Sequence, residues 1–190
     1  MTPMHTTPQR HMILKSGHMI ASKSHAGIYL PLSYCMGAVL HNPGTPGAVI
    51  AHRSWISTKD ERSEPSETQV HELFTGRPFM TRGKFANPHD LVPFMLLGAK
   101  HLGIPEKPHL SIILNKASGE PPKDWEPRMW EYLESAMKRG AISRSSILKV
   151  PATTRVPMVN TLTGEVEFVS FRKVPLDKWD QPEDNPEWDE

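Results

Sequence analysis

The sequence predicts an α/β (α+β) layered sandwich, in which a mainly antiparallel or mixed sheet packs with two main helices. Three observations lead there. Short apolar runs bounded by Gly, Pro, Ser or Asn fill the first third of the chain. Two longer segments carry apolar residues near helical spacing and stop at glycine. Three more strand-like runs come last, and strands in runs with two helices between them belong to the layered α+β class. A length of 190 residues fits one domain with a core of ordinary size.

In chain order, strands are expected over 11–14, 18–21, 27–30, 36–40 and 48–51. The stretch 54–83 is polar and punctuated, with a loop at 59–65 and one or two helical turns over 67–74. Asn87-Pro-His-Asp90 reads as a helix start leading into 91–102, with Pro93 near the first turn and Gly103 as the stop. A strand over 109–114 and a loop over 115–122 follow. The second helix is expected over 126–138, where Met129, Tyr132, Leu133 and Met137 share a face and Gly140 follows. Strands over 146–150, 155–160 and 165–174 close the pattern, the last two joined by Thr161-Leu-Thr-Gly164. The organisation is then a flexible N-terminus at 1–10, a domain at 11–174 with an insertion at about 55–86, and an acidic tail at 175–190. That tail is rich in Asp, Glu and Pro and buries too little apolar surface to offset its chain entropy. Trp179 and Trp188 are its candidate anchors.

Lys plus Arg number 22 against 21 for Asp plus Glu, so no global field favours nucleic acid or an acidic membrane surface. A single cysteine excludes an internal disulfide framework and a multi-cysteine zinc site, and suits a reducing compartment. No apolar run approaches the roughly 18 residues that span a bilayer. The first ten residues lack the charged and apolar regions of a signal peptide, so the expected location is cytoplasmic. His11, His18 and His25 recur at a spacing that alternates faces in strands and is not a zinc signature; no metal and no cofactor is expected.

The chemistry-bearing feature is that lone cysteine, Cys35, with His52 beyond a turn cluster, Asn42-Pro-Gly-Thr45. A turn centred between Pro43 and Gly44 would set Cys35 directly opposite His52 in an antiparallel pair, on one face. A slip of one residue would separate the faces. Alone, Cys35 reads first as a buried small hydrophobe and His52 as a structural or surface histidine. Their value comes from the pairing.

The stretches Leu32-Ser-Tyr-Cys-Met-Gly-Ala-Val-Leu-His-Asn-Pro43 and Gly47-Ala-Val-Ile-Ala-His52 carry a resemblance, and the later order supports it: Gly103, then Ala117-Ser-Gly, Gly140, Arg155 and Thr163-Gly164. Over about Met12 to Val174 the chain resembles CheD, the bacterial chemotaxis family that acts on glutamines of chemoreceptors. It departs in three places. Tyr29, Leu30 and Pro31 stand where that family has a threonine shortly before the cysteine. Tyr34 replaces a small residue, and Asn115-Lys-Ala-Ser replaces a Gly-Gly-Ala-like loop.

The resemblance implies a CheD-like fold and glutamine deamidation, with ester hydrolysis at methylated glutamates in some members. Cys35 would attack the carboxamide as a thiolate, with backbone N–H groups such as its own holding the oxyanion. His52 would protonate departing ammonia and then activate water. Ser33, Thr153, Thr154 or a backbone carbonyl would orient His52; Tyr34, Ser118 and Arg155 are further accessory candidates, with Arg155 either buttressing the site or pairing on the sheet surface. The implied partners are a protein substrate presenting an exposed glutamine, chemoreceptor-like if the family role holds, and a regulatory protein, with no nucleic acid and no membrane insertion. Two alternatives stay open: a catalytically silent binding module of the same fold, and a Cys/His deamidase effector acting on a host protein.

Overall fold

The computed structural model describes residues 10–14, 18–32, 35–54, 79–82, 88–115, 125–152, 154–174 and 179–180. Strands β1 (Arg10–Ile13), β2 (His18–Ser22), β3 (His25–Tyr29), β4 (Cys35–His41) and β5 (Ala48–Ser54) follow the five expected runs closely. Strand β6 (Phe79–Arg82) falls inside the stretch read as an insertion. Helix α1 (Pro88–Leu102), β7 (His109–Leu114) and helix α2 (Trp125–Lys138) form the expected middle of the chain. Strands β8 (Arg144–Lys149), β9 (Arg155–Val159) and β10 (Val166–Ser170) follow. A single 3-10 turn at Phe171–Lys173 ends β10 earlier than expected, and β11 (Trp179–Asp180) lies in the segment read as a tail.

The molecule is a mixed α+β fold, mostly strands, and its strands form two mixed sheets. The first runs β10-β9-β3-β1-β11 and the second β6-β2-β5-β4-β7-β8. The expectation of one sheet layered with helices is therefore corrected: two sheets share the strands, and the fold is not a layered sandwich as such. The physical reason lies between β2 and β3. Only Lys23 and Ser24 separate them, yet the chain changes sheets there. Buried side chains fix this corner. Ser22 Oγ and His25 Nδ1 hydrogen-bond at 2.6 Å, and the Ser24 N–H donates to Ser22 Oγ at 3.1 Å. Thr161 Oγ1 accepts from the His25 N–H at 3.0 Å and donates to the His25 carbonyl at 2.8 Å. Buried polar groups persist when they are satisfied in this way.

Strand β4 is buried from Cys35 through Leu40, as a central strand covered on both faces must be. Alternation divides its side chains between two apolar clusters. Met36, Ala38 and Leu40 join Met95 and Ala99 of α1 and Leu133 and Ala136 of α2. Cys35 and Val39 join Met12 and Ile28 of the first sheet, Ile50 of β5 and Val159 of β9. Burying each large aliphatic side chain contributes about 1.5–3 kcal/mol. Gly98 lets α1 approach the second sheet, since a Cβ there would sit 3.1 Å from Val49 Cγ1.

Both helices stop by one device. The Gly103 N–H donates to the Lys100 carbonyl and the Ile104 N–H to that of Ala99; Gly140 and Ala141 repeat the pattern on Met137 and Ala136. Gly103 and Gly140 have φ of 67° and 72°, which glycine adopts without strain. Helix α1 begins at Pro88, within the start read at Asn87–Asp90, which puts Pro93 just past its first turn. Strand β11 pairs in parallel with β1, His11 beside Trp179, which attaches part of the acidic segment to the first sheet. Among the described residues, no helix is long and apolar enough to cross a membrane.

Candidate functional site

The candidate site grows from the β4–β5 hairpin. Its turn closes as the sequence suggests, with the Thr45 N–H donating to the Asn42 carbonyl at 3.0 Å and Gly44 at φ 80°. The ladder below it is offset. Cys35 pairs with Ser54, Gly37 with His52 and His41 with Ala48. The expected direct opposition of Cys35 and His52 is thus corrected, and Pro46 and Gly47 explain it. Proline has no N–H to give the ladder, and the Gly47 N–H, at φ 122°, donates instead to the Thr161 carbonyl at 2.9 Å.

Because the offset is two residues and the side-chain period is also two, Cys35 and His52 keep a common face. They are diagonal neighbours on adjacent strands, where Cα separations are roughly 7–8 Å. Gly37 is directly opposite His52, and a Cβ there would sit 2.8 Å from Leu30 Cδ1, so the leucine would have to shift. Both members are buried, with 7% of Cys35 and 2% of His52 exposed.

His52 Nδ1 lies 2.6 Å from the Leu14 carbonyl oxygen. A carbonyl only accepts, so Nδ1 carries the proton, and in the neutral tautomer the lone pair is then at Nε2. Leu14 is itself fixed, its N–H donating to the Tyr29 carbonyl at 3.0 Å. A backbone carbonyl, one of the alternatives open in the sequence, thus holds the imidazole at Nδ1.

On the other side of β4, the ladder with β7 pairs Met36 with Leu114, so Asn115 emerges beside Cys35. Asn115 is buried, and its Nδ2 donates to the Leu32 carbonyl. The Leu32 N–H donates to the Leu30 carbonyl at 2.8 Å, and the Leu30 N–H to that of Pro157 at 2.9 Å. The approach to Cys35 is therefore tied both to the first sheet and to the end of β7. Asn115 is a group that sequence reasoning missed, and Leu14 supplies the backbone carbonyl it left unnamed. The signal for Asn115 was present: an amide immediately after the buried run Ile112-Ile-Leu114 needs a buried partner.

Two of the accessory candidates, Arg155 and Thr154, lie within the described residues. Arg155 is exposed, and its Nη1 donates to the Phe168 carbonyl at 3.4 Å across the β9–β10 pair, a sheet-surface contact. Thr154 is exposed, with its carbonyl accepting the Phe171 N–H at 3.0 Å. Ser33, Tyr34, Thr153 and Ser118 lie outside the described residues. Among the described residues, no group of three or more His, Cys, Asp or Glu is arranged to hold a metal ion.

No protein-family model matches this chain, and no curated protein matches its sequence.

Proposed function

We propose that this chain is a cysteine-dependent protein-glutamine deamidase, a hydrolase of a side-chain amide with Cys35 as nucleophile and His52 as base and acid. The observation that carries the reading is the common face of Cys35 and His52 on paired strands, with the His52 Nδ1–H committed to the Leu14 carbonyl. That commitment leaves Nε2 as the basic nitrogen. The substrate class comes from the resemblance of the motif order to CheD, and it makes an exposed glutamine of a chemoreceptor-like protein, met in the cytoplasm, the first substrate to try.

In this mechanism His52 Nε2 takes the Cys35 proton, and the thiolate forms a C–S bond to the glutamine carboxamide carbon. The oxyanion collapses, the C–N bond breaks, and imidazolium returns the proton so that ammonia leaves. A water, deprotonated by the same Nε2, then breaks the thioester and yields glutamate, with the thiol restored. Nothing is oxidised or reduced, and no further group is consumed.

The test is ammonia release from glutamine-containing proteins, with site identification by the amide-to-acid mass change. The native chain should release ammonia, Cys35→Ser should release none, and His52→Gln should be slower by about 10²–10⁴-fold. Retention of full activity by either folded variant would overturn the assignment.

The burial of both residues favours a second reading, a catalytically silent binding module of the same fold. Free cysteine is often a small core hydrophobe. Release of no ammonia, with Cys35 inert to an alkylating agent at neutral pH, would establish that reading instead.

A further inference from the structure

The opposite end of β4, roughly 20 Å from Cys35 at about 3.3 Å per residue, carries a second polar constellation unrelated to the proposed chemistry. There His41 of β4 pairs directly with His109 of β7, and β8 runs parallel to β7 with Arg144 beside His109 and Ser146 beside Ser111. The two imidazoles meet edge to face with ring centroids 5.8 Å apart. Ser111 Oγ and Ser146 Oγ lie 2.9 Å apart. Together with Leu110, these side chains and Ser145 line a pocket of about 190 Å³.

Its chemistry is one-sided. The lining offers a guanidinium, two imidazoles and the Ser111 and Ser146 hydroxyls, and no carboxylate; the Ser145 hydroxyl is turned to Met137 Sδ, 3.6 Å away. Among the described residues, Arg144 makes no ion pair or side-chain hydrogen bond, so its fork of donors is uncommitted. Gly164 packs against the Cγ–Nδ1 edge of His41, and Nδ1 is buried with no hydrogen-bond partner among the described residues. That leaves Nε2 as the nitrogen available to an incoming group. The nearest acidic influence on His41 is Glu165, whose carboxylate accepts from Thr163 Oγ1 at 3.3 Å and is not part of the lining. A volume below the roughly 300 Å³ of ordinary ligand sites suits one small group and excludes a whole nucleotide.

The geometry points to a binding site for a tetrahedral phosphate oxyanion, received by the Arg144 guanidinium, the His41 and His109 imidazoles and the Ser111–Ser146 hydroxyl pair. Guanidinium meets phosphate through paired, charge-assisted N–H···O bonds, and hydroxyls and imidazole N–H groups complete the shell. The source is either inorganic phosphate or the phosphoryl group of a small monoester.

The test is calorimetric titration of the full chain with inorganic phosphate and, separately, with glycerol phosphate, at constant ionic strength set by chloride. Saturable binding of either is expected, and the arm that binds more tightly identifies the source. Arg144→Gln, an exposed substitution, should weaken binding by about tenfold or more. Ser146→Ala should weaken it less, with unchanged thermal melting in both variants. Failure of both probes to saturate, or equal binding by folded Arg144→Gln, would overturn the site.

Discussion

At the scale of single residues, the proposed site depends on where protons and lone pairs are fixed. The Leu14 carbonyl determines which nitrogen of His52 is basic. Asn115 gives the Leu32 carbonyl its buried partner. Replacing Asn115 by Leu keeps the volume but removes that donor, and a buried carbonyl left without one costs about 1–3 kcal/mol. Urea denaturation of Asn115→Leu should show a loss of that size, with alkylation of Cys35 altered as its approach segment loosens. The common face of Cys35 and His52 was legible because their spacing straddles a turn cluster, although their direct opposition was not met. Their orienting groups were not legible, because a carbonyl 38 positions away and an amide on a third strand become neighbours only through the sheet register.

At the scale of elements, the β4–β5 hairpin separates what a turn dictates from what a strand ladder dictates. Asn42-Pro-Gly-Thr45 was readable because Pro and Gly have definite backbone preferences. The two-residue offset was not, since it depends on Gly47 directing its N–H to the Thr161 carbonyl on the β9–β10 turn. Gly47, at φ 122°, has only 3.2 Å between an added Cβ and Lys23 Cγ. Gly47→Ala should therefore cost about 1–3 kcal/mol, read as a lower urea midpoint. An unchanged midpoint would show that the ladder offset does not need glycine there. The helices were the easiest elements to read, as amphipathic spacing and a terminal glycine are local signals. Strand β6 was the hardest, being four residues in a polar stretch and recruited only by pairing with β2.

At the scale of the whole molecule, the α+β class followed from the order of strands and helices, whereas the division into two sheets did not. The corner at Ser22–His25 joins strands only two residues apart, and its passage between sheets is held by long-range bonds to Thr161 that no local pattern signals. Gathering polar groups in this way also sets a pH response. His41 is held below the ordinary histidine range first by burial and next by repulsion from His109, with Glu165 acting in the opposite sense. A histidine depressed in the folded state leaves the unfolded chain binding more protons at mildly acidic pH. Its share of stability is full above about pH 6.5, and is lost as pH falls through the folded value. The urea midpoint of the native chain should then fall on acidification by more than that of His41→Gln. Parallel declines would assign the acid sensitivity to other groups.

The proposal that Cys35 and His52 act as one unit is tested most directly by the rate at which iodoacetamide alkylates Cys35 in the folded protein across neutral pH. Measurable alkylation of the native chain is expected at pH 7, with a fall of about tenfold or more in folded His52→Gln, because the imidazole no longer takes up the thiol proton. A native Cys35 that reacts only after unfolding, or at the same rate with and without His52, would contradict it.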